Sequence, residues 1–259
     1  MIQSPEQDGF VVVIPARYQS MRLPGKPLLD IAGQPMLLHV VERARQSRAS
    51  LVVVATDDER IAEVCIEADV RVCMTDPGHN SGTDRISEVA ARLALPEHTI
   101  VVNVQGDEPL IPPAVIDQVA TNLATRPNFG ICTLYTPVQD ETEFHNPNAV
   151  KLACDDAGRV LYFSRAPIPW PREGIDANTL ALAKRHIGLY AYRVEVLRQF
   201  VAWAPAPLEQ CERLEQLRAM AHGVAIHAEA CCAAVPAGVD TEEDLATVRA
   251  LLENGTFHD

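Results

Sequence analysis

Uninterrupted apolar runs, separated by amphipathic segments, decide what the first half of this chain can fold into. Residues 10–14, 51–55 and 100–104 are almost wholly apolar, and residues 70–74 form a shorter run. A strand that is apolar at every position is buried on both faces. Between the first two runs, apolar residues recur at helical spacing: Leu37, Val40, Val41 and Ala44. The pattern predicts an α/β fold with a mostly parallel central sheet covered by helices on both sides.

The second half of the chain has a more mixed pattern and no low-complexity linker or internal repeat. Strands are predicted at residues 129–136, 149–154, 160–163 and 186–192. Helices are predicted over residues 194–203 and 208–222, and a last helix follows residues 238–244 with Leu245, Val248 and Leu252 on its inner face. The proline-rich segment 166–171 is predicted to be a loop, because proline cannot occupy a central strand. We therefore expect one continuous domain.

The overall charge narrows the classes of partner. Lysine and arginine number 22 against 35 aspartate and glutamate residues, a net charge of −13, which argues against broad nucleic-acid binding.

No apolar stretch approaches the roughly 20 residues that a membrane span needs. The polar, acidic N-terminus does not resemble a secretory signal, so a cytoplasmic protein is expected. Seven cysteines without a C-x-x-C pair indicate neither a disulfide framework nor a zinc site.

A basic loop follows the first apolar run. Arg17, Arg22 and Lys26 fall within ten residues, between Pro15 and the turn at Gly25. Right-handed crossovers place the carboxyl ends of parallel strands along one edge, where ligands bind in open α/β sheets. A loop with three cations and no acid in an acidic protein suits a polyphosphate. The alternative is a solvated basic loop.

Two aspartates are candidate metal ligands. Asp107 follows the run at 100–104 through Gly106, and a carboxylate there can hold Mg²⁺ against phosphate oxygens, although an Asx turn would explain it as well. Asp240 precedes the last helix. Its own surroundings favour an N-terminal cap, with Glu243 three residues later completing a capping box.

A polar turn at residues 79–85 precedes a predicted helix, which Thr83 or Asp84 would cap. Hydroxyls and backbone N–H groups in this turn suit a nucleobase or a ribose, and an ordinary capped loop is the alternative.

Three further positions suit an acidic sugar. Arg165 ends a predicted strand and could hold a carboxylate, or form a surface ion pair. His186 and Tyr190 alternate onto one face of a strand and suit sugar hydroxyls, although structural roles for such residues are common. The polar residues of segment 208–218, which include Glu212 and Gln216, are mostly expected to face solvent.

Nine ordered segments resemble the CMP-KDO synthetase family, the 3-deoxy-manno-octulosonate (KDO) cytidylyltransferases. The segments are IPARYQSMRLPGKPL, VATDDERI, HNSGTDR, VNVQGDEPLI, NPNAVK, LYFSRAPIPW, RHIGLYAYR, PLEQCERLEQLR and GVDTEEDL. They extend from about residue 10 to residue 252. The related CMP-sialic acid synthetases share the first loop only loosely.

This resemblance implies a Rossmann-like nucleotidyltransferase fold of the GT-A type. A nucleotide-binding part at residues 10–125 would precede a smaller mixed sugar-binding and dimerisation part at 126–235, and residues 236–259 would form a C-terminal metal-ligand turn and helix. It also implies a homodimer, dependence on Mg²⁺ and a role in lipopolysaccharide biosynthesis. The implied reaction converts CTP and KDO into CMP-KDO and pyrophosphate.

The resemblance also implies roles for individual residues. The residues implied for the nucleotide are Ala16, Arg17, Arg22, Lys26, Ser81, Gly82, Arg85 and Asp107. Of these, Arg17, Arg22, Lys26 and Asp107 would be catalytic. The residues implied for the sugar are Gln105, Arg165, His186, Tyr190, Glu212 and Gln216. The implied Mg²⁺ ligands are Asp107 and Asp240, which replaces the cap interpretation of Asp240.

Three alternatives to this function remain open in the sequence. The acceptor could be an 8-amino analogue of KDO. The chain could be another nucleotidyltransferase that uses a different sugar or base. It could also be a non-catalytic nucleotide-binding module, which would bind CTP without releasing pyrophosphate.

Overall fold

A parallel core of four strands runs through the first half of the chain. The computed structural model describes residues 9–19, 23–79 and 81–253. Strand β1 pairs in parallel with β4 on one side and with β6 on the other, and β4 continues to β5. The four strands are β1 (Val11–Pro15), β4 (Leu51–Thr56), β5 (Val72–Met74) and β6 (Ile100–Asn103). The predicted parallel sheet is therefore confirmed.

Alternate residues of β1 enter two separate cores, as a strand buried on both faces requires. Val12 and Ile14 belong to one core, whereas Val11 and Val13 belong to the other. The first core receives helices α1 (Met36–Arg45), α2 (Glu59–Glu67) and α4 (Pro113–Ala124). The second receives α3 (Gly82–Arg92) and α7 (Val194–Ala202). Helices therefore cover the sheet on both sides, as predicted.

The second half of the chain extends the same sheet with mixed pairing. Strand β10 is antiparallel to both β6 and β7, and a hairpin of β8 and β9 branches from its beginning. The strands are β7 (Ile131–Pro137), β8 (Lys151–Cys154), β9 (Val160–Ser164), β10 (Lys184–Arg193) and β11 (Ile226–Ala230). Strand β11 is parallel to β7 and was not predicted, because His227 and Glu229 interrupt its apolar pattern. Short helices α5 (Glu141–His145) and α6 (Ala177–Leu182) were not predicted either.

The single helix predicted over residues 208–222 is wrong. The structure has two helices, α8 (Pro207–Glu212) and α9 (Gln216–Ala221). Arg213 between them has φ of 53°, in the left-handed region, which ends a right-handed helix. The guanidinium of Arg165 donates to the carbonyls of Glu212 and Arg213, which a continuous helix would have used internally. A distant side chain therefore stabilises the break.

A small satellite core joins three distant segments beside the main sheet. The first segment runs from the basic loop through a short hairpin of β2 (Asp30–Ile31) and β3 (Gln34–Pro35) to the start of α1. The second is the turn after β6, and the third is the C-terminal turn with helix α10 (Glu242–Glu253). Its buried members are Leu23, Ile31, Met36, Leu110, Val239, Leu245 and Val248. The 3₁₀ turn Lys26–Leu28 lies in the same loop. This cluster fixes the C-terminal turn against the basic loop.

Within residues 9–19, 23–79 and 81–253, no helix is both long and apolar enough to cross a membrane. The division at residues 125 and 235 stays a prediction, since a single nine-stranded sheet of described residues contains strands from both of the first two parts.

We predict that Leu245→Ala lowers the free energy of unfolding by about 2–4 kcal/mol, because Leu245 is only 2 % exposed and the substitution leaves a cavity in the satellite core. Urea denaturation measures the change. Leu182→Ala is the matched control, since Leu182 is 62 % exposed and should change stability by less than about 0.5 kcal/mol. Equal effects of the two substitutions would contradict a structural role for the satellite core.

Candidate active site

The basic loop and the turn after β6 meet at the carboxyl edge of the sheet. They line one open cavity of about 200 Å³, which includes Arg17, Lys26, Gln105 and Asp107. Ala16 lies in the same cavity wall. The predicted cations and the predicted carboxylate are therefore neighbours, as the parallel-strand argument requires. Arg22, the third predicted cation, lies outside the described residues.

Gly106 permits this close approach. A Cβ atom at Gly106 would lie 2.9 Å from the backbone oxygen of Pro15, which is closer than a carbon atom can come without displacing the backbone. The absent side chain lets the turn after β6 pack directly on the end of β1. Asp107 is thereby held beside the basic loop.

One ammonium group joins the two predicted metal ligands. Lys26 Nζ lies 2.7 Å from Asp107 Oδ2 and 2.9 Å from Asp240 Oδ1, and Lys26 is buried. The carboxylates come from the middle and the end of the sequence, yet they share one cation. This arrangement shows that the two carboxylates converge, and that a positive charge is favourable between them.

The capping hypothesis for Asp240 and Glu243 is wrong. Asp244 Oδ2 instead accepts hydrogen bonds from the backbone N–H groups of Asp240 and Thr241, and Thr241 Oγ1 accepts from the N–H of Asp244. Thr241 and Asp244 therefore form the capping box of α10. The side chain of Asp240 is left to face Lys26.

Arg17 extends from the basic loop to the polar turn. Its Nη2 donates to the backbone oxygen of His79 at 3.3 Å. Partial burial lowers the pKa of Arg17, and the nearby guanidinium of Arg85 lowers it further, while Asp57, Asp84 and Glu215 oppose the shift. Arg17 therefore lies close to a second guanidinium, that of Arg85. Such an arrangement favours an anionic ligand that would relieve their repulsion.

Ser81, rather than the predicted Thr83 or Asp84, caps helix α3. Ser81 Oγ accepts from the N–H of Asp84 at 3.1 Å, and Asp84 Oδ2 accepts from the N–H of Ser81 at 3.0 Å. The helix begins at Gly82, where a Cβ atom would already touch the ring of Pro15 at 3.4 Å. Ser81 and Gly82 therefore lie close to the end of β1, as a nucleotide contact requires.

Arg85 has a structural role in this structure. Its side chain is 1 % exposed, and its two terminal nitrogens bind Asp57 at 2.7 Å and Thr75 at 2.6 Å. These bonds connect the ends of β4 and β5 to helix α3. Its implied contact with the nucleotide stays a prediction.

Arg165 and Glu212, both implied for the sugar, are in direct contact. Arg165 Nε donates to the backbone oxygen of Glu212 at 2.6 Å. The Glu212 carboxylate accepts from the hydroxyl of Ser164 at 2.7 Å and from the N–H of Arg165 at 2.9 Å. The two side chains therefore hold the end of β9 against α8. The surface ion pair considered for Arg165 is not the arrangement found, because its guanidinium donates to carbonyl groups.

His186 and Tyr190 also lie together, with ring centroids 5.2 Å apart. Phe163 packs edge-on against His186 at 5.0 Å, and His186 Nε2 lies 2.9 Å from the buried hydroxyl of Thr133. Burial lowers the pKa of His186 to about 3, so the ring is neutral near pH 7. The phenol oxygen of Tyr190 is buried and has no hydrogen-bond partner among the described residues.

A second cavity, of about 470 Å³, opens beside His186. Sequence reasoning assigned only His186 among its lining residues. The others include Glu108, Glu143, Asn146 and Arg185, which lie on three separate segments. Burial, helped by the neighbouring Asp107, raises the pKa of Glu108 to about 8, and its Oε2 has no partner within the described chain. The only signal in the sequence was that Glu108, Asn146 and Arg185 belong to three of the segments that resemble the family.

The last two predicted sugar residues occupy separate places. Gln105 lines the smaller cavity and donates to Asn103 Oδ1 at 3.3 Å. Gln216 begins helix α9, directly after Glu215, whose carboxylate accepts from the hydroxyl of Thr83 at 2.6 Å. Glu215 was not predicted, although it ties α9 to the polar turn at the start of α3.

Comparison with known proteins agrees with this geometry. A family model described as cytidylyltransferase matches residues 11–226. Proteins named 3-deoxy-manno-octulosonate cytidylyltransferase from Cellvibrio japonicus and Pseudomonas syringae pv. syringae are 58 % and 56 % identical, each covering 95 % of this chain, and 99 % and 98 % of their own lengths. This chain belongs to the 3-deoxy-manno-octulosonate cytidylyltransferase family. The resemblance in the nine segments is therefore confirmed.

Solved structures show the family fold. A structure of CMP:2-keto-3-deoxy-manno-octonic acid synthetase complexed with CTP is 40 % identical, with a TM-score of 0.88 over 96 % of this chain and 100 % of that one. A 4-diphosphocytidyl-2C-methyl-D-erythritol synthase has a TM-score of 0.63 at 16 % identity, over 94 % of this chain and 99 % of that one, and so shares the fold alone. The predicted nucleotidyltransferase fold is thus confirmed.

We predict that the ring of His186 does not titrate between pH 8 and pH 5. Its pKa is lowered in the folded state, so the unfolded chain binds a proton that the folded chain does not. This contribution to stability is fully present above about pH 6.5 and is lost as pH falls toward 3. The limiting slope is about 1.4 kcal/mol per pH unit, and partial exposure at the cavity wall should reduce it.

Histidine NMR spectra and urea denaturation at several pH values measure both effects. His186→Asn identifies the His186 signal and should remove its share of the slope. A His186 signal that titrates near pH 6.5 would contradict the neutral ring.

Proposed function

We propose that this protein activates KDO by transferring a cytidylyl group from CTP, with release of pyrophosphate, for lipopolysaccharide biosynthesis. The observation that carries the proposal is the shared contact of Lys26 with Asp107 and Asp240 beside Arg17. It supports the proposal because cation and carboxylate groups that suit a phosphate site lie together at the edge where open α/β sheets bind ligands. The names of the relatives and the CTP-bound structure of a 40 % identical protein support the choice of substrates.

The nucleotide would occupy the edge between the basic loop and the start of α3. Arg17 and Lys26 carry the positive charge that a triphosphate requires. The capped end of α3 at Ser81 and Gly82 presents backbone N–H groups beside the same loop. Arg22 is proposed to act with the other two cations, as the family resemblance implies.

The carboxylate pair fits Mg²⁺. Asp107 and Asp240 supply hard oxygen ligands, both side chains are partly exposed, and one cation already lies between them. Mg²⁺ is commonly held by one or two carboxylates together with substrate phosphates and water. When bound, it would neutralise phosphate charge and help to lower the pKa of the attacking hydroxyl. Lys26 would then be free to pair with a phosphate.

The reaction is an in-line displacement. The anomeric 2-hydroxyl oxygen of KDO forms a bond to the α-phosphorus of CTP, the bond between that phosphorus and the bridging oxygen breaks, and pyrophosphate leaves. The hydroxyl proton passes to solvent. Arg17 and Lys26 would stabilise the charge that builds on the transferring and leaving phosphates. The low pKa of His186 leaves its ring neutral, so it can orient a hydroxyl without repelling or attracting charge.

The acceptor would lie between His186 on one side and the pair of Arg165 and Glu212 on the other. His186 and the larger cavity would provide polar walls. Arg165, held by Glu212 at the end of β9, would support them, because its Nη1 donates to the carbonyl of Pro147 next to the cavity-lining Asn146. An assembly of two copies and a cytoplasmic location are part of this proposal. The assembly is implied by the family resemblance, whereas the location is the expectation from the sequence itself.

Pyrophosphate release tests the function directly. With Mg²⁺, we expect release only when CTP and KDO are present together, and none with UTP, ATP or GTP. Comparison with 8-amino-KDO decides the acceptor, because the better substrate has the higher kcat/KM. Binding of CTP without release of pyrophosphate from it, in the presence of either acceptor, would overturn the proposal in favour of a binding module.

We predict that Asp107→Asn lowers kcat by at least about 100-fold but changes the Kd for CTP only a few-fold, because the lost charge acts mainly in the transition state. Steady-state kinetics and calorimetric titration with CTP measure the two quantities. Asp117→Asn is the control. Asp117 lies on helix α4, away from the site, and its carboxylate pairs with Arg48. Small, equal losses of turnover and affinity would contradict the role of Asp107.

A further inference from the structure

Lysine is rare in this chain, and two of its three lysines are buried. The sequence contains three lysines, Lys26, Lys151 and Lys184, among 22 basic residues. Lysine is almost never fully buried, because its ammonium group is strongly hydrated. Lys151 is nevertheless 0 % exposed, and Lys26 is 8 % exposed. Lys26 has a role in the phosphate half of the site, so the burial of Lys151 needs its own explanation.

The ammonium of Lys151 connects two segments by their backbones. Lys151 begins β8, and its Nζ donates to the backbone oxygens of Asn146 and Arg165, both at 2.9 Å. Asn146 lies in the segment before β8, whereas Arg165 follows β9, the other strand of the hairpin. One buried side chain therefore ties together the two chain segments at this end of the hairpin.

Both segments border the acceptor half of the site. Asn146 lines the larger cavity together with His186. Arg165 contacts Glu212, and its Nη1 donates to the backbone oxygen of Pro147 at 2.9 Å. Lys151 thus lies directly behind the walls of the cavity without lining it.

The two cations behind this wall both bind neutral groups. Lys151 donates to two carbonyls, and the guanidinium of Arg165 donates to the carbonyls of Pro147, Glu212 and Arg213. Of the neighbouring carboxylates, Glu212 accepts from Ser164 and from a backbone N–H, and Glu143 pairs with Arg185. Burial and the charge of Arg165 lower the pKa of Lys151. An anionic ligand in the cavity would offset that cost.

We propose that Lys151 is a positioning residue for the acceptor: its ammonium holds the cavity-lining segment at Asn146 against the backbone of Arg165 and supplies positive charge behind that wall, which favours an acidic sugar. The inference rests on the proposed function in one respect, the acidity of the acceptor. A purely apolar side chain would fill the same space at a lower desolvation cost, so the retained ammonium indicates that its hydrogen bonds and charge are used.

Steady-state kinetics of Lys151→Met test the proposal. We expect the KM for KDO to rise by at least about fivefold while the KM for CTP stays within about twofold, because the phosphate half of the site does not depend on Lys151. Lys184→Met is the matched control, since Lys184 lies on neighbouring β10 with its ammonium over the ring of Tyr135. It should leave both KM values unchanged. Equal changes in both KM values, or no change in either, in the Lys151 variant would overturn the proposal.

A spectroscopic test of the wild-type protein does not depend on how the variant folds. Protein labelled with ¹³C at lysine Cε gives three signals, one for each lysine. With Mg²⁺ and a non-hydrolysable CTP analogue present, added KDO should shift the Lys151 signal and leave the Lys184 signal in place. An unmoved Lys151 signal at saturating KDO would overturn the proposal. Failure of the proposed function is distinguishable, because wild-type protein would then release no pyrophosphate.

Discussion

The contact of one ammonium with two carboxylates is the interaction on which the site depends. Lys26, Asp107 and Asp240 come from the start, the middle and the end of the sequence, and Lys26 and Asp240 are 214 residues apart. Two carboxylates that converge at a partly exposed edge repel each other unless a cation lies between them. The fold therefore brings its own counter-charge to the place where a metal ion and a triphosphate would supply theirs.

Apolar packing makes that contact possible. The satellite core buries Leu110 close to Asp107 and Val239 next to Asp240, so each carboxylate is carried by a chain segment with its own hydrophobic anchor. The N–H of Val239 also donates to the backbone oxygen of Asp107 at 2.8 Å. Burial, backbone pairing and charge thus act on the same two segments, which fixes the carboxylates more firmly than the ion pairs could alone.

Local patterns predicted the elements well where one physical signal was dominant. The apolar runs correctly predicted β1, β4 and β6, because a strand that is buried on both faces is apolar at nearly every position. Prediction failed where a distant group decided the outcome. Arg165 breaks the helix predicted over 208–222, and Lys26 takes the side chain of Asp240 away from the expected cap. The buried contacts of Arg85 with Asp57 and Thr75 were not predicted, since spacing alone does not reveal where a long side chain ends, and its implied contact with the nucleotide stays a prediction.

The hydrogen bonds from Arg165 to backbone carbonyls constrain how acceptor preference can evolve. The same guanidinium stabilises the break between α8 and α9 and donates to the carbonyl of Pro147, between two residues that line the larger cavity. If that cavity holds the acceptor, as proposed, a mutation of Arg165 would change folding and recognition together. Asn148 lines the cavity through a segment that no sheet strand contains, and substitutions there carry less structural cost. A change of acceptor preference would therefore arise more readily by substitution in that segment than at Arg165, whose structural contacts constrain it.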